Sequence, residues 1–347
     1  MLPVPFFVLY IAAVLELNSL ICLHFNKSIP ENGLKSTEDQ YSQQWGPHDD
    51  EYWIFLNGIC VGRNWLQNNI DRLSRTFHRP VVGVHNKTTG VIFDIIQCLI
   101  QRALLYATSD IRDCYVLVKR ALYKPGIKKV VLILHSQGGI EGGMILDWLL
   151  DEVPQNLLQY LEVYTFGCLA NHFSNPCRNL STTDPVPSQE TLAEGKKRPR
   201  AISHIEHYAN AFDFATRWGV LHFTQAEMDG SFENRFMGRV FVNPVPGHQL
   251  NQHYLGNFFP LDPTRRFTRE PRAGDFMNMD AQVDESRGNG PEGEEVLLSL
   301  AASRLLDGRD GALNNGTYGN NELRKLKMWE CSRLWQYRNG ATPVPVS

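Results

Sequence analysis

The sequence predicts an α/β fold, a mostly parallel sheet with helices on both faces. Three observations lead there. From Glu51 to about Pro263, short β-branched or apolar runs alternate with helical patterns. One run, "KVVLILH" at 129–135, is apolar almost throughout, as a strand buried on both faces must be. That run ends in Ser136-Gln137-Gly138-Gly139, a tight turn from which a helix follows.

The elements follow in chain order. "YWIFLN" (52–57) reads as a buried strand, and Leu66, Ile70, Leu73 and Phe77 then recur as one helix face does. "PVVGVH" (80–85) is a second strand. A long helix starts near Gly90, with Ile92, Ile95, Ile96 and Leu99 on one face, and another covers roughly 108–123 until Pro125-Gly126 stops it. After the 129–135 strand, "LEVYTFG" (161–167), "SHIEHYAN" (203–210) and "GRVFVNP" (238–244) are three more.

At 347 residues the chain can bury a sizeable core in one large domain with appendages. Residues 51–263 form that domain, with a long polar segment at 175–200 that reads as a surface insertion in preference to a lid. Residues 26–50 read as a linker. From about Thr264 to 347 the composition turns Gly-rich and polar, which predicts a largely disordered or peripheral region. Within it lies a helix-like "VLLSLAASRLL" and, at the end, a basic, Trp-bearing segment read as a docked or frayed tail.

Residues 1–25 are apolar, interrupted by Glu16, Asn18 and Ser19. Neither half alone reaches the ~20 residues that span a bilayer; together they do, with a polar centre. A membrane-associated segment is favoured over a signal peptide or a soluble extension, so membrane-associated, secreted and cytoplasmic placements all stand open. Asn-Lys-Ser at 26–28 and Asn-Lys-Thr at 86–88 are compatible with secretion.

A formal net charge of −3 gives no basic field of the kind nucleic-acid binding demands. The seven cysteines are scattered without zinc-site spacing and read as buried free thiols. No phosphate-binding glycine motif is present, and neither a metal nor an organic cofactor is implied.

The chemistry concentrates at Ser136. A serine hydroxyl is a poor nucleophile near neutral pH and needs a base, itself oriented by an acid. The strand–Ser–helix turn is that of G-x-S-x-G, with Gly138 in place but Leu134 where the first glycine stands. The partners must follow in the order acid, then His. Asp213 stands just past the 203–210 strand, as the acid or as a helix cap. His248 follows the last strand directly after a Pro/Gly loop and is favoured as the base, with His253 as the alternative. His135, His204, His207 and His222 are read as structural. For the oxyanion, the backbone N–H of Gln137 is one donor; Gly58 or Ile59, in the Asn57-Gly58 loop after the first strand, is the other.

The N-G loop, the H-S-Q-G-G turn, the late Asp and the Gly-His together resemble the α/β-hydrolase fold, and more narrowly its lipase-like serine esterases. The resemblance covers about residues 51–263. It implies Ser136 as nucleophile, Asp213 as acid, His248 as base, and an acyl-enzyme released by water. It departs at Leu134 and at Asn57, where many lipases carry His. "YWIFLNGICVG" also resembles uncharacterised fungal hydrolase-like proteins. The expected activity is cleavage of carboxyl esters, of small molecules or of lipids, with thioester or amide cleavage and acyl transfer using the same residues. The competing expectation is a catalytically silent, membrane-associated interaction protein on the same fold.

Overall fold

The computed structural model describes residues 3–27, 29–30, 33–37, 46, 48–178, 199–224, 227–228, 231–232, 235–261, 270–284, 296–298 and 326–343. Its strands are β1 (Leu34–Lys35), β2 (Glu51–Leu56), β3 (Val81–Val84), β4 (Lys129–His135), β5 (Leu161–Phe166), β6 (His204–Asn210), β7 (Glu227–Met228), β8 (Ser231–Phe232), β9 (Arg239–Asn243), β10 (Gln282–Asp284) and β11 (Val296–Leu298). The longer helices are α1 (Val4–Phe25), α2 (Arg63–Phe77), α3 (Val91–Leu104), α4 (Ser109–Tyr123) and α5 (Gln137–Glu152). All six strands read from the sequence are present.

Nine strands form one sheet in the order β1-β3-β2-β4-β5-β6-β9-β11-β10, while β7 and β8 pair with each other. From β3 to β11 every pairing is parallel; β1 and β10 close the two edges antiparallel. The chain is therefore of the α/β class. Successive side chains leave a strand on opposite faces, and two cores result. Ile54 and Leu56 of β2 with Val130, Leu132 and Leu134 of β4 pack against α4 and α5. Trp53 and Phe55 with Val131 and Ile133 pack against α2 and the chain's later segments. Each of these large side chains contributes about 1.5–3 kcal/mol by leaving water.

Four readings are refined or corrected by the structure. The two apolar halves of the N-terminus are joined, as the combined reading has them, in one continuous helix, α1, of 22 residues, with mean hydropathy 2.2 over an 18-residue stretch, long and apolar enough to cross a membrane. The Ile92, Ile95, Ile96, Leu99 face of α3 points outward: all four are exposed, and the buried residues of α3 are Asp94, Cys98 and Gln101. In "VLLSLAASRLL", residues 296–298 are the strand β11, parallel to β9; the remainder of that motif lies outside the described residues.

The fourth correction concerns the C-terminus. Residues 326–343 are not peripheral, because Met328, Leu334, Trp335 and Tyr337 are buried in the second core. Two glutamates pointing from β5 and β6 into that core hold the segment. Glu162 accepts from Arg333 Nε (2.7 Å) and Tyr337 OH (2.6 Å), and Glu206 from the backbone N–H of Arg333 (2.6 Å) and Leu334 (3.2 Å). Of the docked and frayed readings of this tail, the described residues show the docked one, with buried residues spaced by turns and not by one helix. Of the 175–200 insertion, 179–198 lie outside the described residues, so neither the lid nor the surface reading is addressed. The described cysteines are all free.

Candidate active site

The carboxyl ends of β4, β6 and β9 bring the candidate residues together. Ser136 sits between β4 and α5 with φ 58° and ψ −119°, a left-handed conformation that a non-glycine residue adopts at a cost of about 1–3 kcal/mol. The backbone anchors it there: Ser136 N–H donates to Phe166 O at 3.0 Å, and its carbonyl accepts from Gly139 N–H at 2.9 Å. A Cβ at Gly138 would lie 2.6 Å from Leu56 O, so only glycine allows α5 this close to β2.

The Leu134 departure has a structural answer. Leu134 fills the space beside α5 at Gly142, where a Cβ would stand 2.1 Å from Leu134 Cδ1. The pattern's first glycine would make room in the strand; in this chain Gly142, farther along the helix, makes that room instead.

His248 Nε2 lies 2.8 Å from Ser136 Oγ, and His248 Nδ1 lies 2.8 Å from Asp213 Oδ2. These are the distances that a nucleophile, a base and an orienting carboxylate require of each other. The two oxygens of Asp213 are engaged differently. Oδ1 caps the short helix Phe214–Trp218 by accepting from Ala215 N–H at 2.9 Å, while Oδ2 faces the imidazole. Asp213 is buried, and the His248 side chain keeps 23% of its surface, so the site opens on the imidazole side. Ser136 itself is 3% exposed.

His253 is not brought to Ser136. Its Nδ1 accepts from Gln249 N–H at 3.0 Å, and its ring closes on Gly247, whose φ of +109° leaves no room for a side chain. The favoured and alternative bases are thus separated by what each ring contacts.

Three features escaped the sequence reading. Tyr254 donates its hydroxyl to Asp213 Oδ2 at 2.5 Å, fixing the carboxylate oxygen that also faces His248. Burial, and then the Asp213 charge, push this phenol well above its ordinary range, so it stays a donor. A five-residue π-helical turn, Leu250–Tyr254, aims it inward, and such a turn carries no sequence periodicity of its own. His135 also serves the site. Its Nε2–H donates to the carbonyl of His248 at 2.8 Å, and burial, then the neighbouring His248, hold its pKa down to about 3. It therefore remains neutral and clamps the loop that carries His248.

The third is a buried polar chain behind the oxyanion loop. Asn57 Oδ1 accepts from Asn86 N–H (3.0 Å), and Asn86 Nδ2 donates to Gln137 Oε1 (2.7 Å). Gln137 Nε2 donates to Gln101 Oε1 (2.8 Å), and Gln101 Nε2 to Glu141 Oε1 (3.3 Å). Burial, then the adjacent Asp110, push Glu141 well above the usual carboxylate range. Glu141 Oε2 and Asp110 Oδ2 are both buried and receive no donor from another group.

This chain holds the candidate oxyanion donors. Gln137 is the first residue of α5, so its N–H has no intrahelical acceptor. Gly58 abuts Ser136: a Cβ there would lie 2.6 Å from Ser136 Cβ and 3.1 Å from Oγ. The next loop N–H after Ile59, that of Cys60, is committed to Asp94 Oδ2 at 3.0 Å. Gly58 and Ile59 remain the loop's two candidates. Asn57, where many lipases carry His, braces this loop by donating to Gly58 O at 2.8 Å. Among the described residues no group of His, Cys, Asp and Glu side chains is arranged to hold a metal ion.

Comparison of the chain with protein-family models, with curated proteins and with solved structures finds no match.

Proposed function

We propose that this chain is an α/β-hydrolase-type serine hydrolase that cleaves carboxyl esters through an acyl-enzyme on Ser136. The observation that carries the proposal is the unbroken line of contacts from Ser136 Oγ through His248 to Asp213, each 2.8 Å. The order Ser, Asp, His along the chain, each beyond a strand's carboxyl end, supports the same reading.

In the proposed reaction Ser136 Oγ attacks the acyl carbonyl carbon as its proton passes to His248 Nε2. Asp213 Oδ2 accepts from His248 Nδ1–H, keeping Nε2 free as the acceptor and steadying the imidazolium that forms. Charge develops on the carbonyl oxygen, which the N–H of Gln137 and that of Gly58 or Ile59 would meet at about 3–4 kcal/mol each. The carbon–oxygen bond to the alcohol then breaks and His248 returns the proton to it. Water, deprotonated by His248, releases the acid and restores Ser136.

A silent fold is the competing reading, but it gives no reason for the left-handed backbone at Ser136 to persist, nor for three elements to converge on one hydroxyl. The test is hydrolysis of p-nitrophenyl butyrate by the purified chain. Ser136→Ala and His248→Ala should each lose at least 10³-fold in kcat, and His253→Ala should keep activity within a few-fold. Equal activity in wild type and Ser136→Ala overturns the proposal.

A further inference from the structure

Helix α3 has its polarity reversed. Its carboxylate and one of its amides point into the protein: Asp94 accepts from Thr88 Oγ1 (2.6 Å), Thr89 N–H (2.8 Å) and Cys60 N–H (3.0 Å), and Gln101 joins the buried chain to Glu141. Its apolar residues point out, from Ile92 at 68% exposed to Leu104 at 74%. A helix of a water-surrounded domain does the opposite. Polar-in, apolar-out is stable where the surroundings are apolar.

Hydrogen bonds join this face to two other features. At its start, Asn18 of α1 donates to Thr89 O at 2.9 Å and Asn26 to Thr88 O at 2.8 Å, so the membrane-length helix is docked beside α3. At its end, Arg102 donates to Trp218 O at 2.5 Å, reaching the helix whose Phe214 ring lies 5.0 Å from the His248 ring. Phe214 and Trp218 are themselves more than half exposed, and Tyr106 extends the rim. Trp, Tyr and Arg around an aliphatic centre is the composition of a membrane–water interface. At 14 residues, or about 21 Å, α3 is too short to span a bilayer and suits an in-plane position.

We propose that the outer face of α3, with Phe214 and Trp218, seats in a lipid bilayer beside α1, and that the Ser136 site takes its acyl ester from that bilayer. The second half rests on the serine-hydrolase reading; the first does not. Seating there places the open side of His248 toward the lipid, so an acyl chain need not cross water to reach the nucleophile. The same helix fixes the oxyanion loop through Asp94, so the lipid-facing element and the catalytic loop are one rigid unit.

The full chain is reconstituted in phosphatidylcholine vesicles containing a phosphatidylcholine with a diazirine in its acyl chain, photolysed and digested with trypsin. Lipid adducts are expected on the peptides spanning 88–102 and 103–112 as well as on the N-terminal peptide. Adducts confined to residues 1–27, with the peptides spanning 88–102 and 103–112 unlabelled, overturn the proposal. In parallel, the triple variant Ile92→Ser, Ile96→Ser, Leu99→Ser, altered only at exposed side chains, is compared with wild type on two substrates. Hydrolysis of a vesicle-borne acylglycerol should fall at least tenfold, with p-nitrophenyl acetate hydrolysis unchanged within twofold. An equal effect on both esters overturns delivery from the bilayer. Lipid adducts on 88–112 with neither ester hydrolysed by wild type uphold the membrane face and refute the hydrolase reading instead.

Discussion

Gly142→Ala tests how this turn works with Leu134 in place of a glycine. The new Cβ would stand 2.1 Å from Leu134 Cδ1 and 3.0 Å from Cδ2, where carbon atoms normally keep about 3.5–4.0 Å. Leu134 is fully buried between β2 and β5, so its side chain has nowhere to go without moving the strand end that carries Ser136. Alanine gains about 1 kcal/mol over glycine inside a helix. Overpacking costs about 1–3 kcal/mol, and the overlap argues for the upper end, leaving a net loss of about 2 kcal/mol. Leu134→Ala alone should lose about 2–5 kcal/mol by leaving a cavity. Combined, the two should lose about 3 kcal/mol less than their sum, because the added methyl enters the vacated space, the overpacking cost vanishes and the helix gain remains. Urea unfolding followed by circular dichroism measures all three, and esterase activity should fall in Gly142→Ala and recover partly in the double variant. Stabilisation by Gly142→Ala, with additive behaviour in the double variant, would refute the reasoning.

Other predictions address the supporting residues. Tyr254→Phe removes one donor from Asp213 Oδ2, the oxygen that faces His248, so kcat/KM for ester hydrolysis should fall about tenfold, and an unchanged kcat/KM would contradict this. His135 and Glu141 should bracket stability from opposite sides. The pKa of His135 is depressed to about 3, so its stabilisation is complete above about pH 6.5 and is lost as pH falls toward 3, at up to ~1.4 kcal/mol per pH unit. Glu141 is raised, so its stabilisation is complete below the usual carboxylate range and is lost as pH rises toward its folded-state pKa. Melting temperatures across pH should show His135→Gln flattening the acid side and Glu141→Gln the alkaline side. Glu162→Gln leaves Arg333 with no carboxylate at 2.7 Å and should cost about 3 kcal/mol, read by chemical denaturation; a loss below about 0.5 kcal/mol would show that the C-terminal segment is held without it.

What could be read in advance, and what could not, follows from the range of each interaction. The six strands were legible because β-branched runs such as "KVVLILH" carry their burial in composition. The meeting of Ser136, Asp213 and His248 could be anticipated because each stands just past a strand's carboxyl end, on strands of one sheet. The choice between His248 and His253 was not, since five residues of backbone path decide which ring turns inward, and Gly247 and the π turn make that decision locally. The stripe Ile92, Ile95, Ile96, Leu99 was seen, but a periodic apolar stripe says that one face differs from the other and not which one meets the protein. Asp94 and Gln101, making buried hydrogen bonds on the opposite face, settle it. The docking of 326–343 depends on Glu162 and Glu206, more than a hundred residues earlier, and no local pattern reports a contact of that separation.

The most direct test of the Ser136–His248–Asp213 assignment is covalent labelling with a fluorophosphonate probe, mapped by peptide mass spectrometry. The phosphorus should be found on the peptide carrying Ser136 at that residue, with labelling at least 10³-fold slower in His248→Ala and absent in Ser136→Ala. No adduct on folded wild-type protein, or an adduct that survives Ser136→Ala, would contradict it.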